Sequence, residues 1–290
     1  MTTAIAMPEG ACDCHVHVFG PPERYPFAAD RVYTPGEADE EMLLALHERL
    51  GIERVVLVQP SSYGTDNSRM MAALSRLGAR ARAVAVPARG LQPEDLIAMK
   101  AAGVCGLRLN VDTQGVVEPE AVWPALAAES ERCASLGLHT QILTRLSVIE
   151  ALEARIATLP APVVVDHFGR PDIDEGVDQP GFPALLRLLE TGNVWVKLSS
   201  IGRLCGPRPQ DRIAPFVRAL VKACPDRLVW GSDWPHTGGG RSHRSIEEIE
   251  PFSPVDDEAS LAALSRAIDD EATLKRILVE NPAKLYGFHP

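Results

Sequence analysis

The sequence predicts an α/β fold, a single (β/α)8 barrel with extra C-terminal helices, and three observations predict it. Eight short β-branched runs recur along the 290 residues. Segments with apolar residues at i, i+3, i+4 and i+7 stand between them. Several of those helical segments stop at a glycine, where a left-handed C-terminal residue costs little.

The elements follow in order. CHVHVF near residue 15 leads to the helix EEMLLALHERLG, ending at Gly51, and RVVLVQ near 55 to SRMMAALSRLG, ending at Gly78. AVAVPA near 85 precedes PEDLIAMKAAG, which ends at Gly103, and GLRLNV near 108 precedes EAVWPALAAESERCASLG, which ends at Gly137. LHTQIL near 140, VVVDHF near 165, the helix FPALLRLLETG ending at Gly192, VWVKLS near 196 and LVWGSDW near 230 complete the eight. Spacings of about 23 to 42 residues between strand starts suit βαβ units of roughly 30 residues with right-handed crossovers, which lay strands parallel. A doubly wound sheet needs a glycine-rich loop after its first strand, and His15-Val16-His17-Val18-Phe19-Gly20 stands there instead. A loop from Thr237 to His243 follows the eighth strand, then terminal helices through Asn281 and Tyr286. With no linker, repeat or low-complexity tract, residues 1–290 read as one domain of ordinary barrel size.

Composition narrows the function. At 46% hydrophobic and 23% charged the chain can bury a large core, and its net charge of −10 repels nucleic acid and anionic membranes. No apolar run approaches a membrane span, and MTTAIAMPEG lacks the basic and apolar regions of a signal peptide, so a cytoplasmic protein is expected, as monomer or small homo-oligomer. Six scattered cysteines read as reduced thiols. An anionic ligand must then meet a local cluster of arginines.

In a parallel barrel the chemistry sits at the carboxyl ends of the strands. His15 and His17 end the first strand, Arg108 and Asn110 the fourth, Asp166 and His167 the sixth, Ser199 and Ser200 the seventh and Asp233 the eighth, with Gln141 on the fifth. Strand alternation puts Asp13, His15 and His17 on one face and Cys12, Cys14, Val16 and Val18 on the other, which argues against a zinc knuckle built from CxCHxH. Two histidines on one face suit either a metal or a developing oxyanion.

These residues carry a resemblance. DCHVHVFGP, PFAADRVYTP, VQPSSYGTDN, GLRLN, VVVDHFGRPD, VWVKLSS, WGSDWPH and NPAKLYGF together resemble the amidohydrolase-related family of the amidohydrolase superfamily, in the part that holds the 2-pyrone-4,6-dicarboxylate lactonases. The resemblance spans nearly the whole chain. It implies a lactone hydrolase with catalytic His15, His17, His167 and Asp233 and no required metal or other cofactor. If a divalent ion such as zinc binds, the same four residues are its ligands. Gln141 on the fifth strand and no histidine on the seventh argue against a two-metal centre.

In that mechanism Asp233 takes a proton from water, the histidines stabilise the tetrahedral oxyanion, and Asp233 returns the proton to the leaving ring oxygen. Arg108, Arg170 and Arg203 are the expected partners of a small anionic lactone. Tyr33, Gln59, Tyr63, Asn67, Gln141 and His236 are further binding candidates. Tyr33 and Tyr63 also read as packing aromatics, Asn67 as the cap of the helix SRMMAALSRLG, and His243 as a solvated loop residue. VDTQG and HTQIL stand where the dicarboxylate lactonases carry a further arginine and a tyrosine, so the expected substrate shifts from a 2-pyrone-4,6-dicarboxylate-like lactone, still a candidate, toward a monocarboxylated or otherwise acidic one of muconolactone or sugar-acid type. A lactone isomerase and a mononuclear metal-dependent decarboxylase or hydrolase use the same frame, and a binding barrel is the non-catalytic alternative.

Overall fold

The structure is a computed structural model that describes residues 7–88, 90–112, 115–238 and 245–288. His243, with the rest of the loop 239–244, lies outside them. Among the described residues eight parallel strands follow chain order: β1 Cys12–Val16, β2 Arg54–Val58, β3 Ala81–Ala85, β4 Val104–Asn110, β5 His139–Leu143, β6 Val163–Val165, β7 Val194–Ser199 and β8 Leu228–Gly231. The expected runs therefore form the barrel. Helices cross between them, and Gly51, Gly78, Gly103, Gly137 and Gly192 all take positive φ, the backbone that ends these helices cheaply.

The ring closes where the first and last strands meet. Val16 bridges Trp234, the Asp233 amide donates to His15 O at 2.9 Å, and the His17 amide donates to Trp234 O at 2.9 Å. Gly231 permits this approach, since a Cβ there would lie 2.7 Å from the His15 amide nitrogen.

Both faces of the strands are buried, as a parallel sheet wrapped in helices requires. Outward Val163, Val165, Val194, Val196 and Leu198 pack with helices such as Phe182–Glu190 and Ala214–Ala223. A second cluster joins Cys12, Cys14, Val56, Val58, Val84, Val164, Trp195 and Val229 to Tyr286 and Phe288 from the C-terminal end. Three further helices, Asp257–Ile268, Glu271–Lys275 and Asn281–Tyr286, bring that end back to the barrel. Thr34–Pro35 pairs with Ile249–Glu250 as a small separate ladder.

One expectation about β1 fails. The pairing of β1 with β2 shifts register between Asp13 and Val16, so strict alternation breaks there. Asp13 faces His47 of the first helix at 3.4 Å, and Val16 packs with Leu43 and Leu57, while Cys12 and Cys14 join the cluster of Val56 and Tyr286. His15 nevertheless meets Asp166, Lys197 and Asp233. His15 and His17, with Val16 turned away between them, still reach one centre as alternation expects; the bulge parts them from Asp13.

Candidate active site

The strand ends are held in uncommon backbone conformations. His167, Phe168, Arg170, Ser200, Asp233 and His236 have φ between 51° and 71°. Each such non-glycine residue costs about 1–3 kcal/mol and persists only where the surroundings over-determine it. Two of these turns, at His167 and Asp233, bring their side chains to one point.

That point is Asp233 Oδ1. The Nε2 atoms of His17, His15 and His167 lie 3.6, 3.7 and 3.9 Å from it. The other oxygen, Oδ2, accepts from Ser200 Oγ and from Arg203 Nη1, both at 2.7 Å. Burial alone would raise the Asp233 carboxyl, but the charges of His167 and Arg203 outweigh it and hold the group well below the usual carboxylate range. Asp233 is thus an ionised, oriented carboxylate with one oxygen facing three imidazoles.

The imidazoles are fixed from behind. His17 Nδ1 donates to Val58 O at 2.7 Å, so in the neutral ring Nε2 carries a lone pair toward Asp233. His167 Nδ1 is 2.8 Å from Ser199 Oγ, and burial lowers its pKa to about 4. Burial and the neighbouring Lys197 ammonium hold His15 well below its ordinary value. His15 and His167 are therefore neutral near pH 7.

Beneath them lies a buried polar group. Asp166 Oδ2 accepts from Arg108 Nε and Nη2, both at 3.0 Å, and Asp166 Oδ1 is 3.3 Å from His15 Nδ1 and 3.8 Å from Lys197 Nζ. Burial would raise Asp166, but Arg108 and His15 hold it well below the usual range. Lys197 is fully buried on β7, with Nζ donating to Cys14 O at 2.8 Å.

A cavity of about 560 Å³ opens above this floor, lined by His17, His167 and Asp233 and by Tyr33, Arg108, Arg170 and Arg203. His15 lies below it, fully buried. Each of the three arginines meets an aspartate: Arg108 with Asp166, Arg203 with Asp233, and Arg170 with Asp112, which Arg145 also reaches at 2.6 Å. Five cations (Arg108, Arg145, Arg170, Lys197, Arg203) thus meet three carboxylates (Asp112, Asp166, Asp233), a local net charge of +2 in a chain of −10.

Five binding candidates are not brought to the cavity wall. Gln59 Nε2 donates to Gly64 O and Asp66 O, Tyr63 OH accepts from the Gly20 amide at 2.8 Å, and His236 Nε2 lies 3.1 Å from Asp257 Oδ2. Gln141 is fully buried in the barrel with neither amide atom hydrogen-bonded. Asn67 holds the N-cap position of helix Ser68–Leu77 but makes no capping bond; Asp66 Oδ1 takes the Ser68 amide instead. The Asn67 amide pairs with both backbone groups of Val86 and ties two strand-end loops together.

Sequence reasoning left out Asp112, Arg145 and Lys197. Lys197 alone carried a signal, a lysine inside the otherwise apolar run VWVKL.

By type and placement the donors fit one divalent ion. Among the described residues two groups bring ligand atoms within 4.8 Å of one another, His15 with His17 and Asp233, and His15 with Asp166 and His167. His15 Nε2 is buried without a hydrogen-bond partner. No cysteine joins either group, and all six are free thiols. No helix of the described residues is long and apolar enough to cross a membrane.

Known proteins resemble this chain over nearly its whole length. The chain is 37% identical over 288 residues to a 4-sulfomuconolactone hydrolase of Rhizobium radiobacter, covering 98% of this chain and 92% of the relative. It is 36% identical over 292 residues to a 2-pyrone-4,6-dicarboxylate hydrolase of Comamonas testosteroni, covering 97% and 91%. The crystal structure of an Agrobacterium tumefaciens protein superposes with a TM-score of 0.82 at 27% identity, covering 98% of both chains. Residues 12–288 match the amidohydrolase family over nearly the whole barrel, and the chain belongs to that family.

Proposed function

We propose that this protein is a lactonase that opens the ring of a small acidic lactone by hydrolysis, with Asp233 as general base. One observation carries the reading: Asp233 Oδ1 faces three imidazoles at 3.6–3.9 Å on the floor of a cavity framed by arginines. The relatives named as lactone hydrolases support it.

Asp233 takes a proton from water as the water oxygen bonds to the lactone carbonyl carbon. Histidine N–H groups that face the carbonyl stabilise the tetrahedral oxyanion, the bond from that carbon to the ring oxygen breaks, and Asp233 returns the proton to the departing oxygen. Arg108, Arg170 and Arg203 hold the acid groups of the substrate.

A divalent ion, when bound, would be held by His15, His17, His167 and Asp233 and would supply Lewis-acid polarisation of the carbonyl. The reaction as written does not require one. A dication would add to a centre already at +2, whereas an anionic substrate offsets that charge. The same count revises the expected preference for one carboxylate. Arg145 offsets Asp112 and leaves the charge of Arg170 for a second acid group, so a lactone with two acidic groups, such as a pyrone dicarboxylate or a sulfonated muconolactone, fits as well as a sugar-acid lactone.

A panel of acidic lactones with products read by NMR tests the reading. An open-chain acid is expected; a ring-shifted lactone makes the protein an isomerase, and turnover of no lactone overturns the proposal.

A further inference from the structure

His15 and His17 face the same carboxylate oxygen, yet their backs are held by opposite chemistry. His17 Nδ1 meets a carbonyl, an acceptor, which keeps the proton on Nδ1. His15 Nδ1 meets two competing groups: the Lys197 Nζ donor at 3.4 Å and the Asp166 Oδ1 acceptor at 3.3 Å. Separation does not decide between them, but direction does. Nζ and Nδ1 meet hydrogen-bond geometry, whereas Asp166 Oδ1 has no hydrogen-bond partner. Lys197 is also anchored, since Nζ donates to Cys14 O at 2.8 Å beside the β1 bulge.

We propose that Lys197 is a positioning residue that donates to His15 Nδ1 and thereby keeps the His15 proton on Nε2, aimed at Asp233 Oδ1 and the floor of the cavity. The two histidines of β1 then divide the work. His15 presents an N–H donor to Asp233 from below the cavity, and His17, on the cavity wall, presents a lone pair. The tautomer also bears on metal binding, because an Nε2 that carries a proton has no lone pair for an ion. To become a ligand through Nε2, His15 must move its proton to Nδ1 and turn from Lys197 to Asp166. The contribution to turnover rests on the lactonase reading, while the tautomer does not.

The test uses the full chain with ring-15N histidine, free of substrate and of added metal, near pH 7. The His15 resonances are assigned by their disappearance in His15→Asn. The expected result is a His15 ring with pyrrole-type Nε2 and pyridine-type Nδ1, and a His17 ring with the reverse. A wild-type His15 protonated on Nδ1 overturns the proposal without any Lys197 variant, so a variant that fails to fold leaves the test intact. In Lys197→Met the His15 proton is expected to move to Nδ1, opposite Asp166, and an unchanged tautomer in that variant also overturns it. On a lactone that turns over, the same substitution lowers kcat about 10- to 100-fold with KM within about threefold, the pattern of a group acting in the transition state. A tautomer that shifts as expected while no lactone is hydrolysed counts against the lactonase reading alone.

Discussion

Arg203 Nη1 donates to Asp233 Oδ2 at 2.7 Å, so a residue on the cavity wall also sets the charge state of the carboxylate on its floor. Removing the guanidinium in Arg203→Ala takes away one of the charges that hold Asp233 below the ordinary carboxylate range. The Asp233 pKa then rises, and activity that needs the ionised form is lost at a higher pH on the acid side. A pH profile of kcat/KM is expected to show its acid limb moved upward, and an unmoved limb refutes the coupling.

Asp233→Asn keeps the shape and removes the base. Turnover is expected to fall by about 10²–10⁴-fold, while a lactone still binds with measurable affinity by calorimetry. Full activity in this variant ends the general-base assignment.

Arg170 lines the cavity and pairs with Asp112. Its replacement in Arg170→Gln is expected to raise KM about 10- to 100-fold with kcat nearly unchanged, about 1.4–2.8 kcal/mol of uniform binding. A fall in kcat at constant KM places Arg170 in the chemistry instead.

Metal removal separates the two uses of the histidines. Protein stripped by a chelator and verified metal-free is expected to keep its activity within about twofold, whereas a metal-assisted reaction loses several kcal/mol of stabilisation. Loss of turnover that returns on adding zinc overturns the metal-free reaction.

Away from the site, Arg69 and Glu40 form a fork at 2.8 and 2.9 Å between the first two helices, both side chains nearly buried. Arg69→Ala strands the carboxylate, and urea unfolding at pH 7 is expected to report a loss of about 3–5 kcal/mol. Burial would raise the Glu40 pKa, but Arg69 wins and lowers it. Stability from a depressed carboxylate is present above the unfolded pKa, about 4.3 for glutamate, and is lost as pH falls through the lower folded value. The gap between wild type and variant therefore narrows as the pH drops below about 4. A gap independent of pH assigns the loss to packing.

The order of strands and helices was legible because it rests on local periodicities of 2 and 3.6 residues. The residues around Asp233 were legible because a parallel barrel places strand ends together whatever its other details. The bulge in β1 was not, since register depends on the partner strand as well as on CDCHV itself. Nor was the pairing of Arg108 with Asp166, which joins residues 58 positions apart on β4 and after β6. Lys197 stayed hidden for another reason. A lysine ordinarily marks a solvated position, and only a carboxylate, a carbonyl and an imidazole gathered from elsewhere in the chain make its burial tolerable.

The backbone seam at His15 O and Asp233 N joins residues separated by most of the chain. During synthesis the first seven strands are complete while Asp233 is still unmade, and the Nε2 atoms of His15, His17 and His167 then lack the carboxylate they face. Competence to react therefore arrives late and all at once, when β8 docks against β1. Fraying of that seam in the finished molecule erases it by the same route, long before most of the core is exposed to solvent.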